Sequence, residues 1–153
     1  MVDDMDRGDW HRQFARELFN VTWDLIEKVD RSSEDEVNML LAAAASRWHW
    51  GEVGGAEERA TGDWQVAHAA SLLNESGLAL RFARRHLLAA ERAHWDGWRL
   101  ASAHEGMARA WATAGNALER EHHLAAAREA LAREPSAEDR QVVEEQLATV
   151  PRL

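Results

Sequence analysis

Two Glu-x-x-His motifs are the residues of this chain best spaced for metal chemistry. Glu91 and His94 form the first motif, and Glu119 and His122 form the second. Residues three positions apart lie on the same face of a helix, so each motif offers a carboxylate and an imidazole to one ion. Di-iron bundles combine two such motifs with one Glu from each of two further helices. Glu105 and Glu75 occupy the corresponding places in the order of predicted helices.

The heights of these residues along the predicted helices argue against a shared metal site. At 1.5 Å per residue, Glu91 and Glu105 differ in height by roughly 7 Å, and Glu119 lies deeper by roughly 10 Å or more. The ligands of a two-metal site must converge on ions only about 4 Å apart. We therefore predict no cofactor, and keep as the alternative a divalent metal held by a set of His and Glu side chains. That set is Glu91, His94, Glu105, Glu119 and His122.

A second group of residues predicts a binding groove. His49 lies between two tryptophans, whose rings would form an apolar wall for a small aromatic or cationic ligand. His68 and His104 fall in the predicted third and fifth helices, and hairpin stacking would turn both toward one groove. Each of these histidines could equally be a structural residue or cap a helix end. The candidate groove residues are Trp48, His49, Trp64, His68, Trp98, His104 and Glu105.

The predicted fourth helix concentrates positive charge in an otherwise acidic chain. It carries Arg81, Arg84, Arg85 and Arg92. The fork of a guanidinium suits a carboxylate or a phosphate. We expect these side chains to pair mainly with the acidic first or seventh helix. An anion clamp is the other interpretation.

Composition excludes several classes of function. The chain has 153 residues, no cysteine and a net charge of −9, from 18 basic and 27 acidic side chains. Thiolate metal sites and cysteine nucleophiles are therefore excluded, and nucleic acid and anionic membranes are poor partners for so acidic a surface. No serine-nucleophile elbow and no phosphate-binding glycine loop occurs, and catalytic residues stay unknown.

No stretch has the roughly 20 apolar residues of a membrane span. Residues 1–20 contain four Asp and no apolar run, so we expect no secretory signal and a cytoplasmic location.

The elements that position these residues are predicted to be helices throughout. Alanine, leucine, glutamate and arginine dominate, and these residues favour helices. We expect a disordered segment at 1–8 and a single all-α domain at 9–150. The longest loop, at 51–62, is glycine-rich and could act as a lid or hinge. Ser33 with Glu36, Asp63, and Ser136 with Asp139 are the expected N-terminal caps, and Gly77 is an expected C-terminal cap. The seven predicted helices are 9–30, 33–50, 63–77, 78–94, 96–115, 116–133 and one from 136 to just before 151.

Two of the predicted hairpins look like copies of each other. Trp64 and Trp98 begin their first helices, 34 residues apart, and small residues and a turn glycine (Gly77, Gly115) follow in each. Over about residues 35–133 the chain therefore resembles a tetratricopeptide-like helical protein, although it has no tyrosine and lacks the usual proline between repeats at the end of the fourth helix. Segments 46–50 and 105–110 also resemble a group of small bacterial helical proteins whose activity is unknown. The resemblance implies antiparallel helical hairpins stacked side by side.

The function predicted from these features is recognition. A groove lined by helices 1, 3 and 5 would bind a protein or peptide, or a second copy of the chain. The wide apolar arc of helix 1, which includes Trp10, Phe14 and Trp23, fits either a central helix or a dimer interface. The alternative is a small-molecule or metal-dependent enzyme with a His/Glu site in the groove of helices 2, 3 and 5.

Overall fold

The computed structural model describes residues 6–153, and this part of the chain is all-α. The secondary structure comprises seven helices and no strand within the described residues, which confirms the predicted fold class. None of the described helices is long and apolar enough to cross a membrane. The helices are α1 (Arg7–Glu27), α2 (Ser33–Val53), α3 (Ala56–Leu72), α4 (Ser76–Arg92), α5 (Gly97–Thr113), α6 (Ala117–Leu131) and α7 (Ala137–Ala148).

Consecutive helices pack as antiparallel hairpins, and the hairpins stack in chain order. The odd-numbered helices contact one another, α1 with α3, α3 with α5 and α5 with α7, whereas each even-numbered helix contacts only the odd-numbered helices next to it in the chain. The odd-numbered helices therefore form one layer, the inner wall, and α2, α4 and α6 form the other. Alanine makes this close packing possible: Ala67, Ala70, Ala79, Ala83 and Ala110 fill the core between α3, α4 and α5.

The structural repeat is 41 residues, not the 34 expected from Trp64 and Trp98. α3 begins at residue 56 and α5 at residue 97, and α4 begins at 76 and α6 at 117, so both steps are 41. Trp64 and Trp98 are therefore not equivalent positions. The equivalent of Trp64 is Glu105, and the equivalent of His68 is Arg109. The prediction of a 34-residue repeat failed because it aligned two tryptophans, whereas the structural repeat aligns the starts of equivalent helices.

The turns after α3, α4 and α5 share one backbone conformation. Asn74, His94 and Gly115 follow these helices with φ of 60°, 54° and 76°. In each turn the next amide donates to a carbonyl five residues earlier, as Glu75 does to Ala70 at 2.9 Å. This left-handed ending satisfies carbonyls at the helix terminus. Gly77 was wrongly predicted to end the third helix, since it lies inside α4.

The prediction of a long glycine-rich loop at 51–62 is wrong. α2 continues to Val53 and α3 begins at Ala56, so only two glycines separate them. Gly62 lies within α3, where a Cβ atom would come within 2.7 Å of Cδ of Arg47. Its role is close helix packing rather than chain reversal. Asp63, predicted as a helix cap, is instead a buried residue in the middle of α3.

Helix caps explain the remaining boundaries. α1 begins at Arg7 and is capped by the carboxylate of Asp6, so residues 7 and 8 do not belong to a disordered segment; residues 1–5 of the predicted 1–8 segment lie outside the described part. The capping box of α2 uses Ser32 and Asp35, one position earlier than predicted. The Ser136 cap of α7 is confirmed, because its side chain accepts from the amide of Asp139.

Candidate functional site

A buried polar network crosses the inner wall from α3 to α5. The indole Nε1–H of Trp64 donates to Oε2 of Glu105 at 2.9 Å, and Nε of Arg109 donates to Oε1 of the same carboxylate at 2.8 Å. Trp64, Glu105 and Arg109 are all less than a tenth exposed. Both oxygens of Glu105 are therefore occupied by partners within the protein, and a buried carboxylate in this position requires such partners.

Arg109 extends the network to the last helix. It donates to Oγ1 of Thr149 at 2.7 Å and to the carbonyl of Gln146 at 3.2 Å. These acceptors lie at the C-terminal end of α7, where helix carbonyls lack partners and a cation is favourable. The guanidinium of Arg109 therefore links α5 to α7 through hydrogen bonds.

His68 is buried beside this network on α3. Its ring lies 5.4 Å from that of Trp64 and 5.9 Å from that of Trp23, measured between centroids. Burial, with the nearby charges of Arg109 and Arg31, lowers the pKa of His68 to about 3. The imidazole is therefore neutral at pH 7, and its place among indoles is that of a core residue.

A small cavity, the tryptophan pocket, opens between α3, α5 and α7 a short distance along the same wall. Its volume is about 120 Å³. Three indoles line it, and α4 contributes one histidine. The lining residues are Glu57, Thr61, Trp64, His86, Trp95, Trp98, Arg99, Ser102 and Gln146.

His86 is one of the buried polar residues that line the tryptophan pocket. It is 6% exposed, and its Nδ1 atom has no hydrogen-bond partner among the described residues. Burial lowers the pKa of His86 to about 4, so the ring is neutral at pH 7. Sequence reasoning did not select this residue. The signal was available, because His86 continues the buried stripe of Ala79, Ala83 and Ala90 along α4.

An ion pair borders the tryptophan pocket. Arg99 contacts Glu57 at 2.9 Å, and both side chains are about half exposed. The guanidinium carbon of Arg99 also lies 5.4 Å from the ring centroid of Trp98 and 6.0 Å from that of Trp95. Arg99 therefore already occupies the cation-binding faces of two of the indoles.

The predicted groove residues divide into two groups. Trp64, His68, Trp98 and Glu105 lie along α3 and α5 as described above. His104 instead faces α6, where its Nδ1 lies 3.0 Å from Nδ1 of His123. His49 pairs in the same way with His11 of α1 at 2.8 Å, and Trp48 lies next to that pair with its side chain exposed.

The two histidine pairs have a common physical basis. Burial is the main cause that lowers the pKa of His49, His104 and His123, the last to about 4. A neutral ring can donate with one nitrogen and accept with the other, so each pair can form a hydrogen bond between helices of one hairpin.

The residues of the metal alternative are not assembled into a site. Within residues 6–153 no three His, Asp or Glu side chains are placed to hold a metal ion together. Both oxygens of Glu105 have partners within the protein. His94 lies beyond the end of α4 in a left-handed conformation, which separates it from the helical face of Glu91.

Two of the four arginines of α4 contact neighbouring helices rather than α1 or α7, contrary to the prediction. Arg85 pairs with Asp63 of α3 at 3.3 Å, and Arg84 lies over the ring of Trp111 of α5 at 5.5 Å. Stacking order decides this outcome, since α4 contacts only α3 and α5.

Among known proteins, neither a family model, nor a curated protein, nor a solved structure matches this chain.

Proposed function

We propose that the chain is a recognition module that binds a protein segment along α3 and α5, with one side chain of the partner inserted into the tryptophan pocket. The observation that supports this proposal is the convergence of Trp64, Trp95 and Trp98 on one cavity, which the buried His86 also lines. Tryptophan is enriched at the residues that dominate binding energy.

The size and charge of the tryptophan pocket define its ligand. A cavity of about 150 Å³ holds benzene, so about 120 Å³ suits a single ring or a branched aliphatic side chain. Arg99 already lies over Trp95 and Trp98, which disfavours a second cation there. The proposed anchor is therefore a neutral side chain.

The tetratricopeptide-like assignment is part of this proposal. The assignment is supported by the stack of antiparallel hairpins, in which the odd-numbered helices form one layer. The repeat of 41 residues differs from the about 34 residues that are typical of tetratricopeptide proteins. The enzymatic alternative draws no support from the geometry, because His49 and His104 each contact another histidine and Glu105 has both oxygens engaged.

Peptide selection tests the proposal directly. A random peptide library displayed on phage is selected against the wild-type chain, and the enriched peptides are measured by calorimetry. We expect a consensus with one aromatic or large aliphatic position. Trp95→Ala should weaken binding by about tenfold or more, as for a hot-spot residue. Trp48→Ala, which removes an exposed indole far from the pocket, should have no effect. Absence of a consensus, or equal binding to Trp95→Ala, would contradict the proposal.

A second proposed activity is self-association through the outer face of the α1–α2 hairpin. This hairpin stands at the N-terminal end of the stack, and α3 covers one of its faces. Large apolar side chains are exposed on both helices, whereas terminal repeats of a stack usually have a polar outer face. The residues are Trp10, Phe14, Val21, Val37, Leu41 and Trp48. A second copy would cover this surface by continuing the stack.

Sedimentation measurements test self-association. We expect a dimer at micromolar concentration for the wild-type chain and a monomer for Leu41→Glu. Leu118→Glu is the matched control, since Leu118 is 80% exposed on α6 and its variant should remain dimeric. Trp23 also belongs to the apolar arc of α1, but it is not a useful position for this test. It packs against Trp64 and His68, so that its replacement by glutamate would disturb the core. A monomeric wild-type chain refutes the proposal.

A further inference from the structure

A cleft between α2, α3 and α4 gathers four arginines, and we call it the arginine cleft. Arg47 comes from α2, Arg59 from α3, and Arg85 and Arg92 from α4. Its volume is about 480 Å³, within the range of small-molecule sites. It lies on a different face of α3 from the tryptophan pocket, so the inference does not rest on the proposed function.

The charges in the arginine cleft are not balanced. Asp63 is the only acidic residue of its lining, and this buried carboxylate is already bound by Arg47 at 2.7 Å and by Arg85 at 3.3 Å. Arg59 and Arg92 form no ion pair with any residue of 6–153. Four guanidinium groups against one carboxylate leave an excess of three positive charges, in a chain whose net charge is −9.

The position of Arg59 shows how the arginine cleft is built. Its Nη1 donates to the carbonyl of Gly54 at 2.6 Å, which holds the side chain near the turn between α2 and α3. Gly62 allows α2 and α3 to approach closely beside Arg47. Apolar lining from Leu88, Ala56 and Ala60 adjoins the charged groups. The cleft therefore combines fixed hydrogen-bond donors with a surface for the uncharged part of a ligand.

We propose that the arginine cleft binds a small organic diphosphate. Guanidinium forks match phosphate oxygens in geometry and bind them through paired hydrogen bonds. One carboxylate would neutralise only one of the three excess charges, whereas each phosphate group carries up to two negative charges and several acceptor oxygens. The apolar wall suits a ligand whose phosphates are attached to a ring or a chain.

Calorimetric titration with ADP, with inorganic pyrophosphate as the minimal probe, tests this proposal. We expect saturable binding of both, tighter for ADP, that weakens as salt concentration rises. Arg92→Gln and Arg59→Gln should each weaken binding by about tenfold, the loss of one charge-assisted contact. Arg128→Gln is the control: it removes the same charge from an exposed position on α6 and should leave the affinity unchanged.

Other outcomes would overturn the proposal. Citrate bound more tightly than pyrophosphate would assign the cleft to carboxylates. Binding of a phosphoserine peptide without binding of ADP would assign it to a protein partner. Equal weakening in Arg128→Gln would indicate diffuse attraction rather than a site. Circular dichroism melts of all three variants separate loss of binding from loss of folding.

Discussion

The indole of Trp64 donates to the carboxylate of Glu105 at 2.9 Å, and these two residues occupy equivalent positions one 41-residue repeat apart. Direct contact between equivalent side chains is a consequence of stacking, because the helices that carry them are neighbours in the inner wall. His68 and Arg109 are also at equivalent positions, and the charge of Arg109 contributes to the lowered pKa of His68. Unlike residues at equivalent positions therefore interact across the inner wall.

Glu105→Ala should destabilise the fold strongly. It leaves the guanidinium of Arg109 buried without its carboxylate, and breaking one partner of a buried ion pair costs about 3–5 kcal/mol. The free energy of unfolding from urea titration at pH 7 measures the effect. Glu121→Ala removes an exposed carboxylate that pairs with Arg120 and should change stability by less than about 1 kcal/mol. Equal effects of the two variants would refute the structural role of Glu105.

Stability should fall in mild acid because of three buried histidines. The pKa is about 3 for His68 and about 4 for His86 and His123 in the folded chain, against an ordinary value of 6.5 in the unfolded chain. Below pH 6.5 the unfolded state therefore binds protons that the folded state does not. Stability is complete above pH 6.5 and declines as the pH falls, by up to about 1.4 kcal/mol per pH unit for each histidine.

Replacing one buried histidine shows how much of this loss of stability in acid is due to that residue. His68→Gln should lose less stability than the wild-type chain between pH 7 and pH 5, measured by urea titration at both values. His94→Asn, which removes an exposed histidine from the turn after α4 and keeps a residue that tolerates the left-handed conformation, should keep the wild-type difference. A wild-type chain equally stable at the two pH values would contradict the burial of neutral His68 and His86.

Fold class could be predicted from the sequence because it depends on local preference. Alanine-rich segments with apolar residues at steps of three and four specify helices, and short connections specify antiparallel neighbours. Glycine misled the prediction, since the same residue serves as a turn in Gly54–Gly55 and as a packing contact in Gly62. The spacing of glycines in the sequence does not distinguish a turn from a packing contact. Gly62 is a packing contact because Arg47, 15 residues earlier in the sequence, lies against it in the fold.

The candidate site was predicted only in part. The sequence shows which residues share one face of a helix, but it does not show which neighbouring helix that face packs against. His68 and His104 both lie on odd-numbered helices, as expected. The 41-residue repeat rotates them to different faces, so His68 meets Trp23 and His104 meets His123. His86 was missed because the fourth helix was considered only for its arginines and for the Glu91–His94 motif.

The three left-handed turns should differ in their tolerance of substitution. Asn74 and His94 adopt φ of 60° and 54° without being glycine, a conformation that costs roughly 1 kcal/mol or more for most residues. Asn74→Gly should therefore preserve stability or raise it slightly, and Asn74→Ala should lower it by about 1 kcal/mol, because asparagine tolerates this region better than alanine does. Thermal unfolding of the two variants gives the comparison. A more stable Asn74→Ala would contradict the assigned turn.

Gly62 and Gly77 provide a matched pair of glycine-to-alanine variants within helices. A Cβ at position 62 would lie 2.7 Å from Cδ and 3.2 Å from Cα of Arg47, so Gly62→Ala must push α2 away from α3. We expect a loss of about 1–3 kcal/mol, as for overpacking. A Cβ at Gly77 would have no described atom within 4 Å beyond its chain neighbours and the backbone of its own helix. Gly77→Ala should therefore raise stability by up to about 1 kcal/mol, because alanine favours a helix. Urea unfolding of both variants measures the two changes. A gain in stability for Gly62→Ala would contradict the close approach of α2 and α3 at Gly62, and a loss for Gly77→Ala of the same size would contradict the open space at Gly77.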